Sequence, residues 1–350
     1  MKILHVLTSA RAEGTPKLVL DWLNLEEHEQ EVLFLSDSGE LLPDFKANTR
    51  VYTNSSFVPS LKSGFKISAL VKEVCTEVEP DLVIAWPTGH SQWIHLGASR
   101  AGVKKKITHI GNPPGSSFFG RYITTALTFW MSYFLNVKFI ACSGYVKNEM
   151  KAIGILPQNL SVVYNSLALN EFTFHTSKQK KACMIGYMEV ARDHLTLLKA
   201  WKILNVNRNY QLNLIGEGKL RQKLEQFVKD NAINGVRFLG RKQKVVSVLA
   251  ESDVYVLSTL REGFGITLLE AIASGCKIVC TDLPATREVL QNGRWGALVT
   301  RESADLLSEA ILTAFESPNF TESEISARKT YLNQFRVSEM CSKYIEIANA

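Results

Sequence analysis

Two glutamates and two glycines in the C-terminal half of the chain have the types and spacing to bind a phosphorylated sugar. Glu262 comes directly before Gly263, Gly265 follows two residues later, and Glu270 lies eight residues after Glu262. Glycines let the backbone turn tightly and approach a ligand closely. The free N–H groups of residues 265–267 would form an anion site with a helix dipole behind them. We expect a phosphate there, with one carboxylate binding a sugar and the other a ribose.

A strand, a loop, a helix and a second strand should position these residues. The pattern predicts strands at 254–258 and 277–280, and a helix over 266–274 that ends at Gly275. In a parallel sheet, such a unit places its loop at the carboxyl edge, where these sheets bind ligands. Two solvated glutamates beside an ordinary turn are the alternative interpretation of the spacing.

The run E-G-F-G-I-x-x-x-E-A at 262–271, followed by A-x-G and a strand, resembles a known signature. It is similar to the E-x7-E motif of retaining nucleotide-sugar glycosyltransferases of family 4, and the resemblance extends over nearly the whole chain. It implies an α/β chain with the GT-B fold, in which two doubly wound Rossmann-like domains face each other across a cleft. The implied domains are 1–174 on the acceptor side and 175–334 for the nucleotide sugar. A C-terminal helix at about 335–350 would pack back on the first domain.

The resemblance also implies roles for individual residues. Arg192 falls where the family has a lysine, so its guanidinium would stabilise the leaving diphosphate, and Glu262 would act on the sugar; both are expected to be catalytic. Tyr187 falls where the family has an arginine, so one of two expected cations is missing. The residues expected to bind the donor are Gly14, Tyr187, Gly216, Arg241, Lys242, Gly263, Phe264, Gly265, Ile266, Thr267 and Glu270.

Polar side chains also follow two predicted strands of the first domain, 81–86 and 106–109. His109 closes the second of these strands and is a candidate catalytic residue. His90 and Asn112 are candidates for the acceptor side, because their loops lie at the carboxyl edge of the first sheet. A purely structural role is the alternative for each histidine.

Composition excludes several classes of protein. The net charge of +6 is mild and no block of Lys and Arg occurs, so nucleic acid is not expected as a partner. The chain begins with a strand-like run rather than a signal peptide, and no apolar run is long enough to span a membrane. Six scattered cysteines without a C-x-x-C pair indicate reduced core thiols and a cytoplasmic protein. No side chains occur at metal-ligand spacing, so neither a metal nor a cofactor is expected.

A basic and aromatic stretch lies in the first domain. Residues 82–172 contain eight basic and two acidic side chains, and residues 116–137 are rich in Phe, Tyr and Trp. The densest basic run is Lys104, Lys105 and Lys106. Such a composition suits the surface of an anionic membrane, and predicts a peripheral contact at the inner face of the cytoplasmic membrane. A core helix with a solvated charged edge is the alternative.

Together these patterns predict a metal-independent glycosyltransferase of the hexosyltransferase type. The expected donor is a UDP-sugar, and the expected acceptor is a hydroxyl of a glycan or lipid-linked glycan. The resemblance points to the assembly of bacterial surface polysaccharide, namely capsule, exopolysaccharide or lipopolysaccharide. A sugar-nucleotide epimerase of the same fold and a non-catalytic partner subunit are the two alternatives; the missing cation at Tyr187 favours the second.

Overall fold

The structure, a computed structural model, divides the chain into two compact units, Met1–Ser166 with Val337–Ala350, and Leu167–Arg336. It describes residues 1–12, 14–25, 27–54, 63–114, 126, 130, 133–152, 160–176, 179–206, 209–242 and 244–350. The sequence predicted the change of domain at residue 174, before a polar run, but the structure puts it at Ser166. The chain after that point is held by the second unit, where the N–H of His175 donates to the carbonyl oxygen of Ser274 over 3.0 Å.

The first unit is a seven-stranded parallel sheet with helices. Its elements are β1 (Lys2–Leu7), α1 (Gly14–Leu23), β2 (Glu29–Phe34), α2 (Leu42–Asn48), β3 (Val51–Thr53), α3 (Gly64–Val78), β4 (Leu82–Ala85), α4 (Ser91–Arg100), β5 (Lys105–Ile110), β6 (Lys138–Ala141), α5 (Gly144–Ala152), β7 (Leu160–Val162) and the C-terminal helix Val337–Asn349. The strand order is β3-β2-β1-β4-β5-β6-β7. The order reverses between β1 and β4, and the crevice at such a switch point is where doubly wound sheets bind ligands.

The C-terminal helix packs within the first unit. Trp22 of α1 meets Tyr344 of this helix edge to face, with ring centroids 5.3 Å apart, and Tyr344 stacks on Trp86 at 5.9 Å. All three rings are buried. Aromatic pairs at these separations stabilise a core beyond the area they bury, so they fix the position of the helix on the sheet.

The second unit repeats the architecture with six parallel strands. Its elements are β8 (Lys181–Ile185), α6 (His194–Leu204), β9 (Gln211–Ile215), α7 (Arg221–Asp230), β10 (Val236–Gly240), α8 (Val246–Ala250), β11 (Val254–Leu257), α9 (Ile266–Ser274), β12 (Lys277–Thr281), α10 (Pro284–Val289), β13 (Ala297–Val299), α11 (Ala304–Glu316) and α12 (Glu322–Leu332). The order β10-β9-β8-β11-β12-β13 places the switch point between β8 and β11. The predicted helix 266–274 and its left-handed end at Gly275, with φ 86°, are confirmed.

Burial corrects one expectation about the basic run. Lys106 is only 6% exposed, and its ammonium donates to the carbonyl oxygens of Val103 at 2.8 Å and Lys104 at 3.3 Å. The Lys105 ammonium donates to Asn349 at 2.7 Å, so Lys104 is the fully exposed member. Lys106 was expected on a charged surface and instead satisfies carbonyls inside the unit.

Two further expectations concern cysteines and membrane spans. All six cysteines are buried, as the sequence predicted for core thiols. Within the described ranges, no helix combines the length and the apolar character that crossing a membrane requires.

Three histidines of the first unit are buried and neutral at pH 7. Burial lowers the pKa of His5 to about 4, that of His95 to about 3 and that of His109 to about 4, from an ordinary value of 6.5. Between pH 6.5 and about 4 the unfolded chain therefore binds more protons than the folded chain. Stability should fall as the pH falls, by up to about 1.4 kcal/mol per pH unit for each histidine.

We therefore expect the thermal unfolding midpoint to decrease steadily as the pH is lowered from about 7.5 to about 5. His95→Gln should make this decrease smaller, because one buried imidazole no longer has to stay neutral. His175→Gln is the control, since His175 is exposed and should not alter the slope. A midpoint of the wild-type protein that does not change with pH would contradict the assignment.

Candidate active site

Two loops of the second unit meet at the switch point between β8 and β11. They are residues 186–193, after β8, and residues 258–265, after β11. The hydroxyl of Thr259 and the N–H of Leu260 both donate to the carbonyl oxygen of Ala191, over 2.9 and 2.8 Å. The Ser258 hydroxyl donates to the carbonyl oxygen of Asp193 over 3.0 Å. These bonds hold the two loops side by side, as a preorganised site requires.

The second loop leads into α9 through a left-handed residue. Gly265 has φ 91° and ψ 59°, a conformation that L side chains rarely adopt, so glycine suits this position. Within the described chain, no hydrogen bond takes up the N–H groups of Gly265, Ile266 or Thr267, and the helix bonds begin with Leu268. These N–H groups at the positive end of the helix dipole can bind an anion.

Arg192 and Glu262 join the two loops by an ion pair. The guanidinium donates to the Glu262 carboxylate, with the arginine side chain 28% and the glutamate side chain 10% exposed. Burial opposes the charge on Arg192, but the adjacent Glu262 outweighs it and raises the pKa of Arg192. The stem of Arg192 lies beside Gly186, directly after β8. The arginine therefore stays charged and fixed at the switch point.

Glu270 is one turn inside α9 and only 4% exposed. It lies on the same helix as the anion-binding N–H groups, on the face shared with Ile266 and Thr267. The hydroxyl of Thr267 is itself fixed, because the buried Tyr255 donates to its Oγ1 over 2.7 Å. The predicted arrangement of a phosphate-sized anion site with a carboxylate on each side of it is geometrically consistent with these positions.

The ends of β8, β9 and β10 complete the carboxyl edge. The N–H of Gly186 donates to Ile215, and the N–H of Gly216 donates to Gly240, both over 2.9 Å. Gly216 has φ 142°, and a Cβ there would lie 2.0 Å from the carbonyl oxygen of Gly186. Only glycine therefore allows this close approach of the strands. Arg241 and Lys242, predicted to contact a nucleotide base, directly follow β10 at this edge.

The structure thus brings the second-unit candidates to one edge of one sheet. Tyr187 lies in the first of the two loops, directly after Gly186, and is 38% exposed. Gly263 and Phe264 lie in the second loop, and Phe264 is buried against Phe335, with ring centroids 5.9 Å apart. Phe264 therefore anchors the glycine turn to the body of the unit.

The remaining candidates lie in the first unit. Gly14 begins α1 after β1, and His90 precedes α4 after β4, so both flank the switch point of that sheet. His90 is half-buried, and burial lowers its pKa. Asn112 is exposed two residues after β5. His109 is buried near the end of β5, where its Nδ1 lies 2.7 Å from the Tyr344 hydroxyl.

Two tyrosines of these sites were not predicted from the sequence. Tyr255 lies in the apolar strand β11, where an aromatic residue looks like ordinary core. Tyr344 is 235 residues from His109, so no local spacing could relate them. The signal that could have found Tyr255 is its position in the strand just before the glycine loop.

Comparison with known proteins supports the same fold. Residues 168–330 match the family described as glycosyl transferases group 1. A Campylobacter jejuni N-acetylgalactosaminyltransferase acting on an undecaprenol-diphosphate-linked acceptor is 23% identical over 212 residues, which cover 59% of this chain and 56% of that protein. The phosphatidyl-myo-inositol mannosyltransferase of Mycobacterium tuberculosis is 30% identical over 169 residues, 46% of this chain and 44% of that protein. The chain spans about half the length of the curated relatives it matches.

Solved structures resemble the whole chain. HepE of Anabaena, in complex with UDP and glucose, has a TM-score of 0.80 at 18% identity over 99% of this chain and 98% of that one. Sucrose-phosphate synthase of Thermosynechococcus elongatus has a TM-score of 0.77 at 13% identity over 100% and 98%. The predicted fold class is therefore confirmed: the chain has the GT-B fold, and its second unit is similar to group 1 glycosyl transferases.

Proposed function

We propose that the chain is a retaining glycosyltransferase of family 4 that moves a sugar from a nucleotide sugar to a hydroxyl group. The observation that carries this proposal is the Arg192–Glu262 ion pair beside the N–H groups of residues 265–267. A charged guanidinium and helix N–H groups suit a diphosphate, and carboxylates suit the hydroxyls of the sugar and ribose on either side. A UDP-sugar is the proposed donor.

Catalysis in this proposal is mainly electrostatic. The reaction breaks the bond between the sugar carbon and the diphosphate oxygen, so negative charge grows on that oxygen. Arg192 and the N–H groups of residues 265–267 would stabilise this charge without reorganisation, because the loop contacts already hold them in place. These groups supply the positive charge that a metal ion would otherwise provide, so the proposed transfer is metal-independent.

Retention of configuration requires the acceptor hydroxyl to attack from the face that the diphosphate leaves. In this step the hydroxyl oxygen forms the new bond to the sugar carbon as the bond to the diphosphate breaks. The hydroxyl proton passes to the departing phosphate oxygen, so no enzyme nucleophile takes part. Glu262 would bind hydroxyls of the transferred sugar once the diphosphate has replaced it as the partner of Arg192.

For the acceptor, we propose a glycan or lipid-linked glycan in the assembly of bacterial surface polysaccharide. The similarity to the Campylobacter enzyme with an undecaprenol-diphosphate acceptor supports this class. Gly14, His90, His109 and Asn112 are the proposed contacts in the first unit, because each lies at or beside the carboxyl ends of its strands. The protein would then act at the inner face of the cytoplasmic membrane.

A peripheral membrane contact would bring the protein to such an acceptor. Trp130, Tyr133 and Phe134 are exposed aromatic side chains in contact with one another, with ring centroids 5.0 and 5.7 Å apart. Exposed aromatic groups suit the membrane interface, and nearby basic residues add about 1 kcal/mol each at an anionic surface. Most of the aromatic stretch 116–137 lies outside the described residues.

We expect the protein to bind vesicles that contain anionic lipid at low salt, and to be released at high salt because exposed charges are screened. Replacing Trp130, Tyr133 and Phe134 by serine should weaken this binding without changing UDP affinity. Leu306→Ser, which changes an exposed apolar residue of the second unit, is the matched control. A wild-type protein that ignores anionic vesicles in a sedimentation assay would indicate a water-soluble acceptor instead.

One observation favours a second candidate, a non-catalytic partner subunit. The exposed Tyr187 stands where the resemblance expects a second cation, and a phenol can hydrogen-bond a phosphate but brings no positive charge. Such a subunit would bind the donor without consuming it. A sugar-nucleotide epimerase would consume the donor without an acceptor.

Donor binding should depend on Glu270, whose position one turn past the anion site suits a ribose. Glu270→Ala should leave the fold intact and weaken UDP binding by about 1.5–3 kcal/mol, the range for a hydrogen bond to a charged group. Titration calorimetry measures this loss. Glu316→Ala, at the exposed end of α11, is the control that should bind UDP like the wild-type protein. Normal UDP affinity in folded Glu270→Ala would remove Glu270 from the site.

A further inference from the structure

His109 has one ring nitrogen bonded and one without a partner. Its Nδ1 lies 2.7 Å from the Tyr344 hydroxyl, whereas its buried Nε2 has no hydrogen-bond partner among the described residues. A Cβ on Gly111 would lie 3.2 Å from Nε2, so the absence of a side chain there leaves this nitrogen uncrowded. Buried polar groups are normally paired, and an unpaired one near a ligand-binding edge points to an external partner.

The shared hydrogen bond determines which nitrogen carries the proton. His109 is neutral at pH 7, because burial lowers its pKa to about 4, so one nitrogen donates and the other accepts. If Nδ1 donated to Tyr344, both the phenol hydrogen and the Nε2 lone pair would lack partners within the described chain. If the phenol donates to Nδ1, only the Nε2–H group is left over. The second arrangement leaves fewer polar groups unsatisfied.

Packing fixes the phenol that makes this choice. The Tyr344 ring lies edge to face with Trp22 and stacked on Trp86, and Trp86 in turn contacts the His109 ring, with centroids 4.9 Å apart. Tyr344 is completely buried, so its hydroxyl has little freedom to turn away. The hydrogen bond to Nδ1 is therefore built into the core.

We infer that Tyr344 is a positioning residue that holds His109 as the Nε2–H tautomer. His109 then presents an N–H donor, and not a basic lone pair, at the carboxyl end of β5. Resting on the proposed function, this means that His109 donates a hydrogen bond to a hydroxyl or phosphate oxygen of the substrate. It excludes His109 as the general base of the transfer, because Nε2 is already protonated and Nδ1 is occupied by the phenol.

Nitrogen-15 NMR of the labelled full chain, recorded at pH 7 without substrate, tests this inference separately from the proposed function. His109 is expected to show a protonated Nε2 and an unprotonated, hydrogen-bonded Nδ1, with its signals assigned by their loss in His109→Gln. In Tyr344→Phe, the Nδ1 signal should shift toward that of an unbonded nitrogen or average with Nε2. Because no substrate is present, the result is the same whether or not the protein transfers sugar.

His5 provides an internal reference in the same spectra. Its Nδ1 accepts from Trp86 Nε1 over 3.2 Å and its Nε2 lies 3.0 Å from Gln30 Oε1, so it is an Nε2–H tautomer that should stay unchanged. Tyr331→Phe removes another buried phenol, which donates to Val289, and should leave the His109 signals in place. A protonated Nδ1 in wild-type His109 would overturn the inference even if Tyr344→Phe did not fold. Unchanged His109 signals in folded Tyr344→Phe would overturn it as well.

Discussion

Glu262→Gln is expected to lower the rate of sugar transfer by about 10- to 150-fold while UDP binding is kept or strengthened. The rate loss corresponds to the 1.5–3 kcal/mol of a hydrogen bond to a charged group, here between the carboxylate and the sugar. UDP should bind at least as well, because the neutral amide no longer competes with the diphosphate for Arg192 and no longer repels it. Initial rates with the donor and calorimetry with UDP measure the two effects.

Glu251→Gln is the matched control for this substitution. Glu251 also forms an ion pair, with Lys181 at 3.0 Å, but lies before β11 at the opposite edge of the sheet. Its loss should change neither the rate nor UDP affinity. If Glu262→Gln lost UDP binding and turnover to the same extent, the division of roles between Glu262 and Arg192 would be wrong.

Arg192→Gln should have the larger effect on both quantities. It removes the fixed positive charge at the switch point, so we expect turnover to fall by about 100- to 1000-fold, as for the loss of one group that stabilises a developing oxyanion. UDP affinity should fall as well, because Glu262 is then left without its counter-ion beside the diphosphate. Steady-state kinetics and UDP titration would show both losses.

Arg192→Lys is the conservative variant that separates charge from shape. The family to which the sequence is similar has a lysine at this place, so the variant should recover a large part of the activity. Arg192→Lys as inactive as Arg192→Gln, in folded protein, would show that positive charge at this position is not what the site requires.

Local patterns in the sequence predicted the elements around the site. The helix at 266–274 and its end at Gly275 follow from apolar periodicity and a single glycine, which act within a few residues. The alternation of strands and helices predicted two doubly wound sheets, because parallel strands need such crossovers. The carboxyl-edge location of the candidate residues followed from the same alternation.

Contacts between distant residues could not be predicted in this way. Arg192 and Glu262 are 70 residues apart, and no spacing rule shows that their side chains form an ion pair. Composition also counts charges without showing burial, which is why Lys106 was expected at a surface. The polar run after residue 174 suggested a linker, but backbone bonds such as the one from His175 to Ser274 hold it in the second unit.

The central claim is that the protein transfers a sugar from a nucleotide sugar. Its most direct test is to incubate the full chain with labelled UDP-, GDP- and ADP-sugars, with and without a lipid-diphosphate-linked glycan. We expect UDP release and labelled product that depend on the acceptor, with the anomeric configuration of the donor kept in the product, and neither in Arg192→Gln. A donor that is bound but never consumed, or one that is epimerised without an acceptor, would contradict the account.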